Sequence, residues 1–158
     1  MGNQIYMYTI KAKQFVALSK QEAWDFFSQP INLKQLTPPE MNMRMIDEQQ
    51  QEMYAGMVIS YKVAPLLGIA LPWSSEITQV KKGEYFIDSM IEGPFKIWHH
   101  QHFFKEVEGG TEIIDIVNYQ VPFSLLGKLF HPIIVKSRVA GIFTYRNQRI
   151  KEIFSSNN

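Results

Sequence analysis

The sequence contains no cysteine. Disulfides and thiolate-bound metals are therefore excluded, and the redox compartment is left open. Neither sign of charge is in excess, since 16 Lys and Arg face 15 Asp and Glu for a formal net charge of +1. That balance gives no electrostatic footprint for nucleic acid, and no nucleic-acid partner is expected. No stretch approaches the roughly 18 consecutive apolar residues that span a bilayer. The first residues lack the basic and apolar regions of a secretory signal. Gly2 follows Met1, but Tyr6 stands where a myristoylation signal carries Ser or Thr. The expectation is a cytoplasmic protein without a transmembrane segment. A Gly-x-Ser-x-Gly elbow is also missing, as are internal repeats, low-complexity stretches and linkers.

Apolar residues make up 46% of the 158 positions and charged residues 20%. Disorder is excluded by that ratio, and the length suits one domain over residues 1–158 with a sizeable core.

Residues 5–17 carry Tyr, Thr, Ile, Phe and Val and read as a first strand. Ser19 stands three residues before Glu22, a capping box that opens a helix through Trp24, Phe26 and Phe27. Pro30 ends it, and a short helical turn over Asn32–Leu36 precedes Thr37-Pro38-Pro39. Met41, Met43 and Met45 alternate with polar residues over 41–49, as a strand does. Further strands are expected over 56–64, 73–81, 85–92, 97–107 and 111–121, with tight turns at Lys82-Gly83 and Gly109-Gly110. The last segment is a long helix. At about 100° per residue, Val135, Val139, Ile142, Phe143, Ile150, Ile153 and Phe154 share one stripe. Ser137, Thr144, Gln148 and Lys151 lie opposite, and Pro132 marks a break or a first-turn position. Strand, one or two short helices, six strands and a long helix make an α+β fold: a curved antiparallel sheet with one face covered by the helix.

The block from Gly93 to Phe123 is the most informative. A two-residue turn at Gly109-Gly110 sets Glu108 opposite Thr111 and Phe104 opposite Asp115. It also sets His102 opposite Val117, His100 opposite Tyr119 and Trp98 opposite Val121. Alternation places these on one face, which carries more aromatic bulk and is expected inside. A turn at Gly93-Pro94-Phe95 adds Phe86, Asp88 and Met90, with Asp88 near His100. Arg146 lies within the apolar arc of the long helix, where a guanidinium demands carboxylates or several acceptors. The result is an expected polar island of Arg146, Asp88, Asp115, His100, His102 and Tyr119.

These residues resemble a known family. The element order is similar to the helix-grip fold of the START, SRPBCC and birch-pollen-allergen superfamily, and nearest to its bacterial ligand-binding members of unassigned function. The resemblance is carried by Leu36-Thr37-Pro38-Pro39-Glu40-Met41, by Trp73 with Ser75 and Ile77, and by Gly93-Pro94-Phe95 with Trp98, His100 and His102. It continues through Gly110-Thr111 with Asp115 and Tyr119, Pro122-Phe123 with Leu126-Gly127, and Phe143-Thr144-Tyr145-Arg146. It implies a seven-stranded sheet gripping the C-terminal helix, two short helices between strands 1 and 2, and a cavity for a small molecule or lipid. Relatives include polyketide cyclases and lipid-transfer proteins, among which fold does not choose.

Three chemistries fit the residues. In the first, a carrier or sensor takes a hydrophobic or amphipathic molecule. Its walls would be Met43, Met90, Trp98, Phe104, Val117, Val139, Ile142 and Phe143, with Arg146, Tyr119 and His100 at the head group. Each apolar member also fits an ordinary core. The second is a cofactor-free enzyme of cyclase or dehydratase type. There His100 or His102 is the base, Asp88 or Asp115 sets the tautomer, and Arg146 or Tyr119 stabilises an oxyanion. A structural His-Asp bond would look the same. The third is a metal held by His100, His102 and one Asp. No ligand spacing in the sequence is diagnostic of such a site, so neither metal nor cofactor is expected. Pro65–Pro72 could serve as a lid or touch a membrane transiently, and Leu125–Val135 could contact a second subunit, although packing on the sheet is favoured for the latter. The oligomeric state is left open.

Overall fold

The computed structural model describes residues 7–47, 51–64, 68–122 and 135–155. The chain order is β1 (Tyr8–Val16), α1 (Lys20–Phe27), two 3-10 helices (Pro30–Leu36 and Pro39–Met41), β2 (Arg44–Met45) and β3 (Val58–Val63). It continues through β4 (Leu71–Lys81), β5 (Tyr85–Glu92), β6 (Ile97–Val107) and β7 (Gly110–Gln120) to α2 (Lys136–Ser155). The strands form one antiparallel seven-stranded sheet in the order β1-β7-β6-β5-β4-β3-β2. Strands β2 to β7 each pair with their neighbour in sequence, and β1 closes beside β7. Register shifts in the β4–β5 ladder at Ser74/Ser75 and Ile77/Gln79 bend the sheet.

The capping box forms as expected. Ser19 Oγ accepts from the Glu22 amide at 3.2 Å, and Glu22 Oε2 accepts from the Ser19 amide at 2.9 Å. Helix α1 then buries Trp24, whose ring meets Phe86 and Phe104 edge-on at 6.1 and 5.4 Å. Its indole N–H donates to Glu52 Oε1 at 2.6 Å. Pro30 does not merely end α1. It opens the first 3-10 helix, where its missing N–H costs nothing.

Two local expectations need correction. The strand expected over 41–49 shrinks to Arg44–Met45, because Asn42 turns into the left-handed region at φ 46° and breaks the extended run. Met41 and Met43 are buried nonetheless. The β6–β7 register also differs by two residues. Phe104 faces Ile113, His102 faces Asp115, His100 faces Val117 and Trp98 faces Tyr119. The turn falls on Glu108-Gly109, with the positive φ of 79° at Gly109, and Gly110 already pairs within β7. A shift of two preserves the faces. Trp98, His100, His102, Phe104, Asp115, Val117 and Tyr119 are all buried.

Helix α2 lays its stripe across the sheet. Ile150, Ile153 and Phe154 join a core cluster built on Trp24, Phe104 and Ile113. Val135, Val139, Ile142 and Phe143 join a second cluster built on Trp73, Trp98, Val117 and Tyr119. Ser137, Thr144, Gln148 and Lys151 point to solvent. No helix among the described residues is long and apolar enough to cross a membrane. Residues 5–6, 48–49 and 65–67, the 125–134 part of the second apolar segment with Pro132, and the Phe123, Leu126 and Gly127 positions lie outside the described residues.

Gly110 tests the corrected hairpin. A Cβ there would sit 2.2 Å from the Val16 carbonyl oxygen on β1, whereas one at Gly141 on α2 meets nothing within 4 Å. Gly110→Ala is expected to destabilise by roughly 3 kcal/mol, the upper end of overpacking costs. Gly141→Ala should stabilise by about 0.5–1 kcal/mol through helix propensity. Urea-unfolding midpoints of the two variants check both signs.

Candidate functional site

Alternation on four adjacent strands brings five polar side chains onto the face beneath α2. Strand β5 contributes Asp88, β6 contributes His100 and His102, and β7 contributes Asp115; Ser75 on β4 completes the row. Asp88 faces His100 across the β5–β6 pair, as the sequence suggested. Arg146 descends from α2 between the two apolar clusters.

The four titratable sheet residues form a closed cluster. Asp115 Oδ1 lies 2.8 Å from His100 Nε2 and 2.9 Å from His102 Nδ1. Asp88 Oδ2 lies 3.1 Å from His102 Nε2 and 3.8 Å from His100 Nδ1. The two imidazoles are 3.7 Å apart between centroids. Ser75 hydrogen-bonds Asp88 and accepts from the Trp73 indole at 3.1 Å. Arg146 Nη1 approaches Asp115 Oδ1 at 3.9 Å, too far for a hydrogen bond. Its Nε is buried without a partner, and its Cζ sits 5.4 Å from the Phe143 ring centroid.

Protonation follows from this geometry. Burial pushes His100 down to about 4, helped by the neighbouring charge of His102 and only partly opposed by Asp115. His102 feels the same burial, but carboxylates on both ring nitrogens raise it above its ordinary value. Burial alone would raise both aspartates. Hydrogen bonds from the histidines, from His100 first for Asp115 and from His102 for Asp88, hold them below the usual carboxylate range. Two carboxylates thus face one imidazolium and one guanidinium, a balance that buried charge requires. His100 is neutral, with Nε2–H donated to Asp115 and Nδ1 left as an acceptor.

Above the cluster lies a cavity of about 140 Å³. It is walled by Leu36 of the first 3-10 helix, Met43 just before β2, Ile59 and Val63 of β3, Ile77 of β4, and Ile142 and Phe143 of α2. A second space of about 520 Å³ adjoins it, lined by Pro38, Phe95, Val121, Val135 and Val139. Met41, Trp73, Trp98 and Ile142 line both.

The inner cavity brings together Met43, Trp98, His100, His102, Asp88, Asp115, Ile142, Phe143 and Arg146. Five other candidates lie elsewhere. Phe104 packs on Trp24 and Phe27, and Val117 is sealed in the second cluster, against which Met90 rests. Val139 borders only the outer space. Tyr119 is not part of the polar island, because it stacks on Tyr8 at 5.6 Å, two strands from Asp88. Tyr61, Trp73 and Ser75 line the inner cavity and were not among the candidates. Their period-two spacing with Val63 and Ile77 was the available signal. Burial, then the charge of Asp88, raises the Tyr61 phenol well above its ordinary value, with Arg146 pulling the other way.

A family model described as polyketide cyclase / dehydrase and lipid transport matches residues 16–137. The chain belongs to this family. Among solved structures it is similar to protein Ms6760 from Mycobacterium smegmatis, with 18% identity and a TM-score of 0.68 over 95% of this chain and 92% of that one. Major latex-like protein 151 from Panax ginseng gives 10% identity and a TM-score of 0.67 over 94% and 97%. A Thalictrum norcoclaurine synthase point mutant, solved with a transition-state analogue, gives 16% and 0.64 over 96% and 98%. At such identities these structures show the fold alone, and it is the helix-grip fold that the sequence resemblance implied. No curated protein matches the sequence.

Two measurements test the cluster. In metal-free protein, histidine NMR titration should show His100 protonating near pH 4 and His102 above 6.5. Because the folded His100 value is depressed, its contribution to stability should fall as the pH drops from 6.5 towards 4. A shared midpoint near 6.5 would contradict the arrangement. Asp115→Ala strands both histidines and should cost about 3–5 kcal/mol in urea unfolding.

Proposed function

We propose that the chain binds an apolar or amphipathic small molecule, of lipid or polyketide kind, between the sheet and α2, acting as a carrier or sensor within one domain. The observation that carries this reading is the two-part space with apolar walls and one charged end. A cavity of about 150 Å³ holds a benzene-sized group. The inner cavity therefore suits one ring or a short chain, and the adjoining space takes the remainder.

The head group should be uncharged. An acid would add a negative charge beside two carboxylates that Arg146 and His102 already balance. A carbonyl oxygen instead accepts from the unpartnered Arg146 Nε–H, and a hydroxyl can donate to His100 Nδ1. Ile69, exposed beside the 65–67 segment, offers an apolar contact for exchange with a membrane surface.

The hydrogen-bonded His100–Asp115 pair supports a second reading as a cofactor-free cyclase or dehydratase, with His100 Nδ1 as the base. Its depressed basicity weighs against that role at neutral pH. His102 is weaker still as a candidate, because both of its nitrogens face carboxylates.

Native mass spectrometry of protein purified from cells, followed by solvent extraction, should release a neutral lipophilic compound. Ile142→Trp fills the wall common to both spaces and should weaken binding of a fluorescent naphthalene probe at least about tenfold, one to two kcal/mol of lost apolar contact. Circular dichroism should stay unchanged. Empty protein from cells, together with probe binding indifferent to Ile142→Trp, would remove the carrier reading.

A further inference from the structure

The geometry points to a divalent first-row transition-metal site formed by Asp88, His100 and His102. This departs from the sequence expectation, which had two histidines and no means of choosing a third ligand. It does not rest on the carrier reading, because the ligand set stands whether or not the cavity holds an organic guest.

The first observation is spacing. One donor atom from each of Asp88, His100 and His102 lies within 4.8 Å of the other two. Zinc takes imidazole and carboxylate ligands at about 2.0–2.2 Å, which puts tetrahedral donors about 3.4 Å apart. His102 Nε2 and His100 Nδ1 lie 3.1 and 3.8 Å from Asp88 Oδ2, on either side of that value. The widest separation has to close by no more than about 1.5 Å to meet it.

The second observation is independent and concerns the opposite side of each ring. Metal-bound histidines nearly always donate their other N–H to a carboxylate, a carbonyl or water, which fixes the tautomer and ring direction. Here one oxygen of Asp115 takes both outer nitrogens, His100 Nε2 at 2.8 Å and His102 Nδ1 at 2.9 Å. The inner nitrogens are thereby turned towards Asp88. Asp88 is oriented in its turn by Ser75, and Ser75 by the Trp73 indole. Every ligand has a supporting partner, and each partner comes from an adjacent strand.

Charge and access agree. A divalent ion would replace the proton between His102 Nε2 and Asp88, and Arg146 would remain against the outer carboxylate, Asp115, rather than the inner one. The three ligands line the inner cavity, so the remaining coordination positions face apolar walls and can take water or the oxygen of a guest. Two imidazoles with one carboxylate suit Zn²⁺ or Fe²⁺ over Mg²⁺ or Ca²⁺.

The test needs no organic ligand. Untagged protein, stripped with chelator, is incubated separately with Zn²⁺, Co²⁺, Fe²⁺ under argon and Mn²⁺, desalted, and analysed for metal content. One ion per chain is expected for at least one metal. Affinity should fall at least about 100-fold in His100→Gln and His102→Gln, and about 10–100-fold in Asp115→Asn. His99→Gln should leave it unchanged, since His99 sits on the other sheet face against Ser89. Should the variants fail to fold, X-ray absorption of the metal-loaded wild-type protein should count two imidazoles per ion. Failure of the wild type to retain any of the four metals stoichiometrically overturns the site. So does uptake undiminished in folded His100→Gln/His102→Gln protein, or a shell without two imidazoles. Each of these results leaves probe binding at Ile142, and hence the carrier reading, untouched.

Discussion

A carboxylate buried inside a sheet must be paired, and the arrangement of this protein's interior turns on how Asp115 meets that demand. The unpaired alternative costs several kcal/mol per ion even after relaxation. Asp115 is held by two histidines two residues apart on β6, with Arg146 of α2 facing it. That requirement acts across three elements at once. It fixes the β6–β7 register, because a slip of one residue would turn Asp115 out of the interior and leave both imidazoles facing aliphatics. It also bears on α2, which presents a guanidinium towards Asp115 where its stripe otherwise carries valine, isoleucine and phenylalanine.

The same demand explains why the space beneath α2 is hollow. The apolar core divides into two clusters, one around Trp24, Phe104 and Ile150 and one around Trp73, Trp98 and Val139. The charged residues lie between them. Aliphatic side chains packed onto this row would strand its remaining donors and acceptors, whereas a gap leaves them available to water or a guest. Bulges in the β4–β5 ladder carry β4 and β3 around the gap, and the 3-10 helices cap its rim with Leu36 and Met41, followed by Met43. Apolar walls around a hydrogen-bonding floor follow from the pairing problem.

Much of this was legible from residue order alone. The capping box at Ser19, the seven strands, the stripe on α2 and the inward face of β6 all follow from spacing. Asp88 opposite His100 followed from one well-placed turn. What the sequence hid was three-dimensional detail. Two adjacent glycines admit two hairpins. The turn takes Glu108 and Gly109, and Gly110 enters β7 beside the Val16 carbonyl, where only a residue without a Cβ fits. Tyr119 sits on the expected face but too far along β7 to reach the charges, and face assignment carries no distance along a strand. Tyr61 and Trp73 share an inward face with Val63 and Ile77 by alternation, but alternation does not say which part of that face borders the cavity.

On the metal-site proposal, the hydrogen-bonded and metal-bound forms of the cluster would compete for the same atoms. The proton shared by His102 Nε2 and Asp88 occupies the place a metal would take, so binding an ion must release it. Without the ion, the polar floor is electroneutral and offers His100 Nδ1 as its single free imidazole acceptor. With it, that acceptor is consumed, the floor gains one positive charge, and a guest oxygen becomes a ligand rather than a hydrogen-bond partner. Metal occupancy would therefore change which guests the cavity prefers, from uncharged carbonyls towards anionic oxygens such as enolates. Arg146 stands outside this exchange, since its nearest carboxylate is Asp115 and its Nε–H remains unspent in both forms. On the proposals made above, the guanidinium would be the constant element of guest recognition, and the His100–His102–Asp88 group the variable one.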